Sequence, residues 1–171
     1  MTSTLKNKLT AIVFFLVSCI VVRAQNNDTL STQPVILKTA TGEIFGTLTL
    51  PTNNNKKIPV ALIIAGSGPT DRDGNNMSMK NNSLKMLAEA LAKQGIASLR
   101  YDKRAVAESR KSAKSELDLR FEDYINDAKG WIDFLLAKNQ FSKVIVIGHS
   151  EGSLIGMIAA ENRASFISIA G

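Results

Sequence analysis

Three segments near the end of the chain follow one another without a linker, and they restrict the possible folds more than any other feature. The run Lys143–Ile147 is apolar and β-branched, which is typical of a buried strand. Gly148–Gly152 (GHSEG) follows directly, and Ser153–Ala160 is apolar enough to predict a buried helix. A turn this short brings strand and helix close together, so small residues are needed on both sides of it. The pattern predicts a strand–turn–helix unit.

The rest of the chain repeats this alternation. Pro59–Ala65 is a second continuous apolar run of strand length. Further strands are predicted over Val35–Thr39, Glu43–Leu50, Ile96–Leu99 and Phe166–Ala170, and helices over Ser83–Gln94 and Leu117–Lys138. The first two strands flank Thr41-Gly42 and predict a hairpin. Strands that alternate with helices predict an α/β fold with a mostly parallel sheet and an antiparallel N-terminal hairpin.

Composition limits the classes of function. A chain of 171 residues with 44% hydrophobic and 21% charged residues is typical of one globular domain. The net charge is +6, but the first 24 residues carry Lys6, Lys8 and Arg23 and no acid, so six minus three leaves +3 for the rest. We therefore expect no nucleic-acid partner. The one cysteine excludes an internal disulfide framework and a CxxC metal site.

The N-terminus is typical of a secretory signal peptide over residues 1–24. A basic start precedes the apolar run Ala11–Val22, and small residues favour cleavage before Gln25. The run is too short for a permanent membrane span, so we expect no stable span and an exported, periplasmic or secreted protein. The alternatives are an uncleaved anchor and a lipoprotein acylated at Cys19. We predict a linker over residues 25–33 and one domain over residues 34–171.

Ser150 is the candidate catalytic residue. It is the central residue of the GxSxG pattern, in the strained turn between the predicted strand and helix. That turn projects the hydroxyl above the carboxyl edge of the sheet, and the N-terminus of the following helix favours developing negative charge. The order of strand, motif and helix indicates a nucleophile. The alternative is a tight turn with an idle serine.

Two other loops bear on ligand chemistry. The glycine-rich stretch Ala65–Pro69 is not a phosphate-binding P-loop, since no Gly-Lys-Ser/Thr follows at the required spacing. Asp71–Asn75 lacks the acidic spacing and the distal glutamate of an EF-hand calcium loop. We therefore expect neither a cofactor nor a metal.

Three motifs in this order resemble the α/β-hydrolase superfamily: AGSGPTDRDGN at 65–75, RYDKR at 100–104 and GHSEGS at 148–153. The resemblance covers about Val35–Gly171 and is greatest to a bacterial esterase branch grouped with the serine aminopeptidase and monoglyceride-lipase-like hydrolases. It implies that Ser150 is the nucleophile and that the backbone N–H groups of Glu151 and Ser67 form the oxyanion hole. It also implies a small-molecule ester or acyl substrate.

The chain departs from this family after the fourth strand. The family has glycines in YDKRGxGxS, where this sequence has Ala105 and Ala107. That loop borders the active-site face in the family, so the substitutions put its conformation in question. Its basic residues are expected to form a solvated loop face; they are Lys103, Arg104, Arg110, Lys111 and Lys114.

The partners of a catalytic serine are missing. In this fold an acid and then a histidine follow the serine, but after Ser150 the chain has only Glu151 and Glu161 as acids, and no histidine. His149 adjoins Ser150 and is expected to point away from its hydroxyl into packing around the sheet. Glu161 is expected to face away from the site.

The family fold has eight core strands, and this chain reaches about the sixth. We therefore expect the N-terminal part of a longer exported serine hydrolase, most simply a carboxylesterase, and an inactive, aggregation-prone fragment by itself. The alternatives are a peptidase or acyltransferase of the same fold and a non-catalytic binding protein on this scaffold.

Overall fold

The computed structural model describes residues 30–52, 56–113 and 115–169, which form one mixed sheet flanked by helices. The sheet has six strands in the order β1-β2-β4-β3-β5-β6. Their bounds are Leu30–Thr39 (β1), Gly42–Pro51 (β2), Ile58–Ile64 (β3), Ala97–Tyr101 (β4), Phe141–His149 (β5) and Ser165–Ile169 (β6). β3 to β6 are parallel to one another, whereas the β1–β2 hairpin is antiparallel and joins β4 in antiparallel pairing. The predicted α/β fold is confirmed.

In the described part of the chain, three α-helices cover the two faces of the sheet. They are α1 (Ser83–Lys93), α2 (Phe121–Leu136) and α3 (Glu151–Ala160). Alternate residues of β3 point to opposite faces, so Ile63 packs with Leu84 and Ala88 of α1. Leu62 of the same strand belongs to the larger core on the other face, together with Trp131 of α2 and Ile155 of α3. The two apolar runs predicted as buried strands therefore form the centre of the sheet.

The largest differences from the sequence expectations are at two boundaries. β1 begins at Leu30, within the segment expected to be a linker, because Leu30–Gln33 pair with the end of β2. The helix expected from Leu117 begins at Phe121, and two short 3-10 helices precede it, Ala107–Ser112 and Glu116–Asp118. The predicted signal peptide over residues 1–24 lies outside the described residues.

Parallel pairing brings three loops to one edge of the sheet. The carboxyl ends of β3, β4 and β5 are neighbours, so the segments after Ile64, Tyr101 and His149 meet there. These segments contain the three motifs of the sequence. Among the described helices, none combines the length and apolarity that a membrane crossing requires.

Candidate active site

Ser150 occupies a strained turn between β5 and α3. Its backbone has φ 50° and ψ −121°, a conformation that residues other than glycine rarely adopt, and its side chain is exposed. Such a conformation costs roughly 1–3 kcal/mol and persists only where the surrounding structure imposes it. The serine therefore stands at the start of α3 in the conformation that the sequence pattern predicts.

The glycines on either side of Ser150 are required by close backbone approach. A Cβ on Gly148 would lie 2.2 Å from the carbonyl oxygen of Gly152. A Cβ on Gly152 would lie 2.5 Å from the carbonyl oxygens of Ile64 and Ala65. Real Cβ atoms do not approach backbone oxygens so closely, so α3 can start directly above β3 and β5 only with glycine at both positions.

A third glycine lets the loop after β3 reach the turn. A Cβ on Gly66 would lie 3.2 Å from the Cβ of Ser150 and 3.0 Å from Nδ1 of His149. This contact closes one wall of a cavity of about 230 Å³. Ser67 and Ser150, two of the predicted site residues, line this cavity together with His149. The third, Glu151, follows as the first residue of α3.

His149 and Glu161 occupy different surroundings. The ring of His149 lies against Gly66 and lines the cavity, which differs from the expected position in packing around the sheet. Within the described part of the chain, no hydrogen bond joins the side chains of His149 and Ser150. Glu161 is exposed at the far end of α3. Neither residue forms a serine–base pair in this structure.

The expectation of a solvated basic loop is wrong for Lys103 and Arg104. Both side chains are buried, with relative exposures of 5% and 8%. Nζ of Lys103 donates a hydrogen bond to the carbonyl oxygen of Gly66 at 2.6 Å and lies 3.6 Å from Oε2 of Glu151. Arg110 and Lys111 are exposed, as expected, and Lys114 lies outside the described residues.

Arg104 can be buried because it forms an ion pair with a carboxylate of α2. Its Nε and NH2 groups each donate to Asp127 at 2.6 Å, which makes a bidentate pair. Arg104 also donates to Thr41 in the turn of the hairpin and to the carbonyl oxygen of Ser112. Burial raises the pKa of Asp127 to about 6, even though Arg104 favours the charged form. The pair joins the loop after β4 to α2 and to the hairpin.

A second ion pair, which the sequence did not indicate, joins the loops after β3 and β4. The Asp102 carboxylate is buried and accepts the Nε and NH2 groups of Arg72 at 3.1 and 2.6 Å. It also accepts the backbone N–H groups of Arg72 and Glu108. Asp102 therefore fixes the two loops that carry the DRDGN and YDKR motifs relative to each other.

The alanines in the loop after β4 keep a glycine-like backbone. Ala105 has φ 62° and Ala107 has φ 45°, both in the left-handed region. Ser109, the serine of the same family motif, is buried and accepts the N–H of Phe45 at 2.9 Å. The loop thus has positive φ values at the two positions where the family has glycine, at a conformational cost of about 1–2 kcal/mol per alanine.

The acids of the DRDGN loop have partners within the protein. The Asp71 carboxylate accepts the backbone N–H groups of Asp73 and Asn75 at 2.8 Å. Asp73 pairs with Arg100 at 2.9 Å. No group of three or more His, Cys, Asp or Glu side chains among the described residues is arranged to hold a metal ion. These carboxylates shape the loop and attach it to β4.

This chain is similar to known hydrolases in sequence and in fold. Esterase EstD of Thermotoga maritima is 32% identical over 116 residues, which cover 68% of this chain and 27% of the esterase. A cold-adapted esterase from an Arctic intertidal metagenomic library shares 16% identity with a TM-score of 0.62, over 86% of this chain and 62% of that one. Dienelactone hydrolase of Anabaena variabilis shares 23% identity with a TM-score of 0.60, over 83% and 63% of the two chains.

The similarity to these two solved structures shows the fold. The chain spans about a quarter of the length of EstD. The family described as serine aminopeptidase, S33, matches residues 77–170, which is more than half of the chain and includes the turn around Ser150. The chain therefore belongs to the serine aminopeptidase S33 family of α/β hydrolases.

Proposed function

We propose that this chain supplies the nucleophile and the oxyanion hole of an exported serine hydrolase that cleaves carboxylic esters. The observation that carries the proposal is the exposed Ser150 in its strained turn, with the loop of Ser67 forming the same cavity. Similarity to an esterase supports ester substrates. The family and the fold are compatible with several acyl-transfer reactions, so the reaction itself requires a test.

The proposed reaction proceeds through an acyl-enzyme. Oγ of Ser150 attacks the ester carbonyl carbon while a base takes its proton, and the carbonyl π electrons move onto the oxygen. The N–H groups of Glu151 and Ser67 hold the resulting oxyanion. Collapse of the tetrahedral intermediate expels the alcohol, which receives the proton from the base. Water then attacks the acyl-enzyme in the same way and releases the carboxylic acid and the serine.

The base and the acid that orients it are proposed to come from residues beyond Gly171. A serine hydroxyl is a weak nucleophile without a general base. After Ser150 the chain has no histidine, and of its two acids one begins α3 while the other lies at the far end of that helix. We therefore propose that the 171 residues alone hydrolyse esters very slowly or not at all.

The test uses p-nitrophenyl esters with the protein extended by its downstream coding sequence, and Ser150→Ala as the control. We expect rapid hydrolysis in the extended protein and loss of at least about a thousandfold in Ser150→Ala. An extended protein that hydrolyses no activated ester would overturn the proposal. Equal hydrolysis by Ser150→Ala would show that another residue is the nucleophile.

Peptide bond cleavage is the second candidate, because the matching family is described as a serine aminopeptidase. The same acyl-enzyme chemistry serves both reactions, but an amide is the poorer substrate. Aminoacyl-p-nitroanilides assayed beside the esters distinguish them. If kcat/KM for an anilide equals or exceeds that for the matching aminoacyl ester, the protein is a peptidase.

We propose export from the character of residues 1–24, which end in small residues before Gln25. Cell fractionation and N-terminal sequencing test this. Export is supported by a mature protein that begins at Gln25 and is unaffected by Cys19→Ala. A mature chain that begins at an acylated Cys19 would identify a lipoprotein, and an unprocessed cytoplasmic chain would exclude export.

A further inference from the structure

We propose that Lys103 is a positioning residue for the oxyanion hole, a role that rests on the proposed hydrolase function. Its Nζ donates to the carbonyl oxygen of Gly66 at 2.6 Å. That carbonyl belongs to the same peptide unit as the N–H of Ser67, the donor proposed from the loop after β3. Lys103 therefore acts on the peptide that binds the oxyanion without contacting the oxyanion itself.

The planarity of the peptide transmits this contact. In a trans peptide the C=O and the following N–H point in opposite directions within one plane. Fixing the carbonyl of Gly66 therefore fixes the direction of the Ser67 N–H, which faces away from Lys103. Ser67 lines the cavity beside Ser150, whereas Lys103 does not line it. The ammonium group and the N–H of Ser67 therefore lie on opposite sides of this peptide.

The charge of Lys103 strengthens the donor. A hydrogen bond that polarises a carbonyl makes the N–H of the same amide a better donor. Donors that are already oriented toward developing charge, in a site shielded from water, account for a large part of transition-state stabilisation. Lys103 is 5% exposed, so bulk water screens its charge little. A neutral side chain of similar length would fill the space without this effect.

The second proposed donor is connected to the same cation. Nζ of Lys103 lies 3.6 Å from Oε2 of Glu151, whose backbone N–H is the other donor of the oxyanion hole. The loop after β3 and the first residue of α3 are thus both joined to one side chain of the loop after β4.

The neighbouring cation provides a control for purely structural effects. Arg104 is also buried, but its side chain pairs with Asp127 of α2 and donates hydrogen bonds to Thr41 and to the carbonyl oxygen of Ser112. Replacing a buried ion pair by apolar residues of similar volume is often tolerated. The double variant Arg104→Met/Asp127→Leu therefore removes a buried cation of the same loop and leaves the proposed oxyanion hole untouched.

The experiment measures kcat and KM of the extended protein on a p-nitrophenyl ester. For Lys103→Met we expect kcat to fall about 10–100-fold with KM within about twofold, since the contact acts mainly in the transition state. Lys103→Arg, which can still donate to Gly66, is expected to recover most of kcat. Lys103→Gln retains a hydrogen-bond donor without the charge, so we expect a kcat between those of Lys103→Arg and Lys103→Met. This variant replaces Lys103→Met in the test if Lys103→Met does not fold.

Three outcomes separate the inference from the proposed function. Full activity in Ser150→Ala refutes the serine mechanism, whatever Lys103 does. Loss of activity in Ser150→Ala with unchanged kcat in Lys103→Met and Lys103→Gln refutes the role of Lys103. An equal loss of kcat in the Arg104→Met/Asp127→Leu control would assign Lys103 a merely structural role and would also overturn the inference.

Discussion

A Cβ atom on Gly148 would lie 2.2 Å from the carbonyl oxygen of Gly152, so these two glycines face each other across the turn that carries Ser150. The contact is between backbone atoms, which have little freedom to move apart. It explains why β5 can pass directly into α3 and why Ser150 is left exposed above the sheet. The geometry of this turn is the physical basis of the proposed chemistry.

Gly148→Ala is expected to lower the free energy of unfolding by at least about 2–3 kcal/mol, because the added methyl group displaces α3 from β5. Urea denaturation measures the change. Gly95→Ala is the matched control, since Gly95 has φ 76° but a Cβ there would meet nothing within 4 Å. The control should cost only about 1–2 kcal/mol for its left-handed backbone. Equal losses in the two variants would contradict the close approach at Gly148.

Ala105→Gly and Ala107→Gly are expected to stabilise the protein. Both alanines have left-handed backbones, with φ of 62° and 45°, and glycine adopts this conformation without steric cost. The relief of backbone strain is larger than the free-energy cost of glycine's extra conformational entropy in the unfolded chain. We therefore expect the free energy of unfolding to rise by about 0.5–1 kcal/mol at each site.

The control for these substitutions is Ala137→Gly, at an exposed alanine with φ −70°. There glycine relieves no strain and should reduce the free energy of unfolding. If all three substitutions destabilise the protein alike, the left-handed conformation of the loop after β4 is wrong.

The buried pair of Arg104 and Asp127 is expected to make stability depend on pH. Burial raises the pKa of Asp127 from 3.8 to about 6 in the folded protein, so the folded state binds a proton more tightly than the unfolded state does. The contribution of Asp127 to stability is therefore complete below about pH 4 and decreases as the pH rises to about 6. About two pKa units correspond to roughly 2–3 kcal/mol.

The unfolding free energy of Asp127→Asn, measured from pH 4 to pH 7, tests this expectation. Asparagine does not titrate, so the variant should gain stability relative to the unchanged protein as the pH rises. Asp133→Asn is the control, because Asp133 is an exposed carboxylate of the same helix. A difference between Asp127→Asn and the unchanged protein that is constant with pH would refute the raised pKa of Asp127.

Short local patterns of apolar residues and glycines in the sequence predicted most of the fold and the position of Ser150. The buried strands are continuous apolar runs, and the glycines around Ser150 follow one of them directly, so the turn could be placed from adjacent residues. The mostly parallel pairing was predicted from the alternation of strands and helices, whereas the order of the strands in the sheet was not predicted. The predicted features depend on short stretches of sequence.

The burial of Lys103 and Arg104 could not be predicted in the same way. A charged residue is buried only with partners, and those partners lie far away in sequence: Gly66 for Lys103 and Asp127 for Arg104. One sequence signal could have indicated the burial of Arg104. Asp127 adjoins the apolar stripe of α2 that contains Ala128 and Trp131. A carboxylate beside a buried helix face indicates that a cation from another segment pairs with it there.

The measurement that tests the central claim most directly is labelling of Ser150 by a fluorescent fluorophosphonate. We predict that the extended protein is labelled rapidly, that Ser150→Ala is not labelled, and that the 171-residue chain reacts very slowly or not at all. Rapid labelling of the 171-residue chain, lost in both Ser150→Ala and His149→Gln, would contradict the account by making His149 the base. An extended protein that folds and remains unlabelled would show that Ser150 is not a nucleophile.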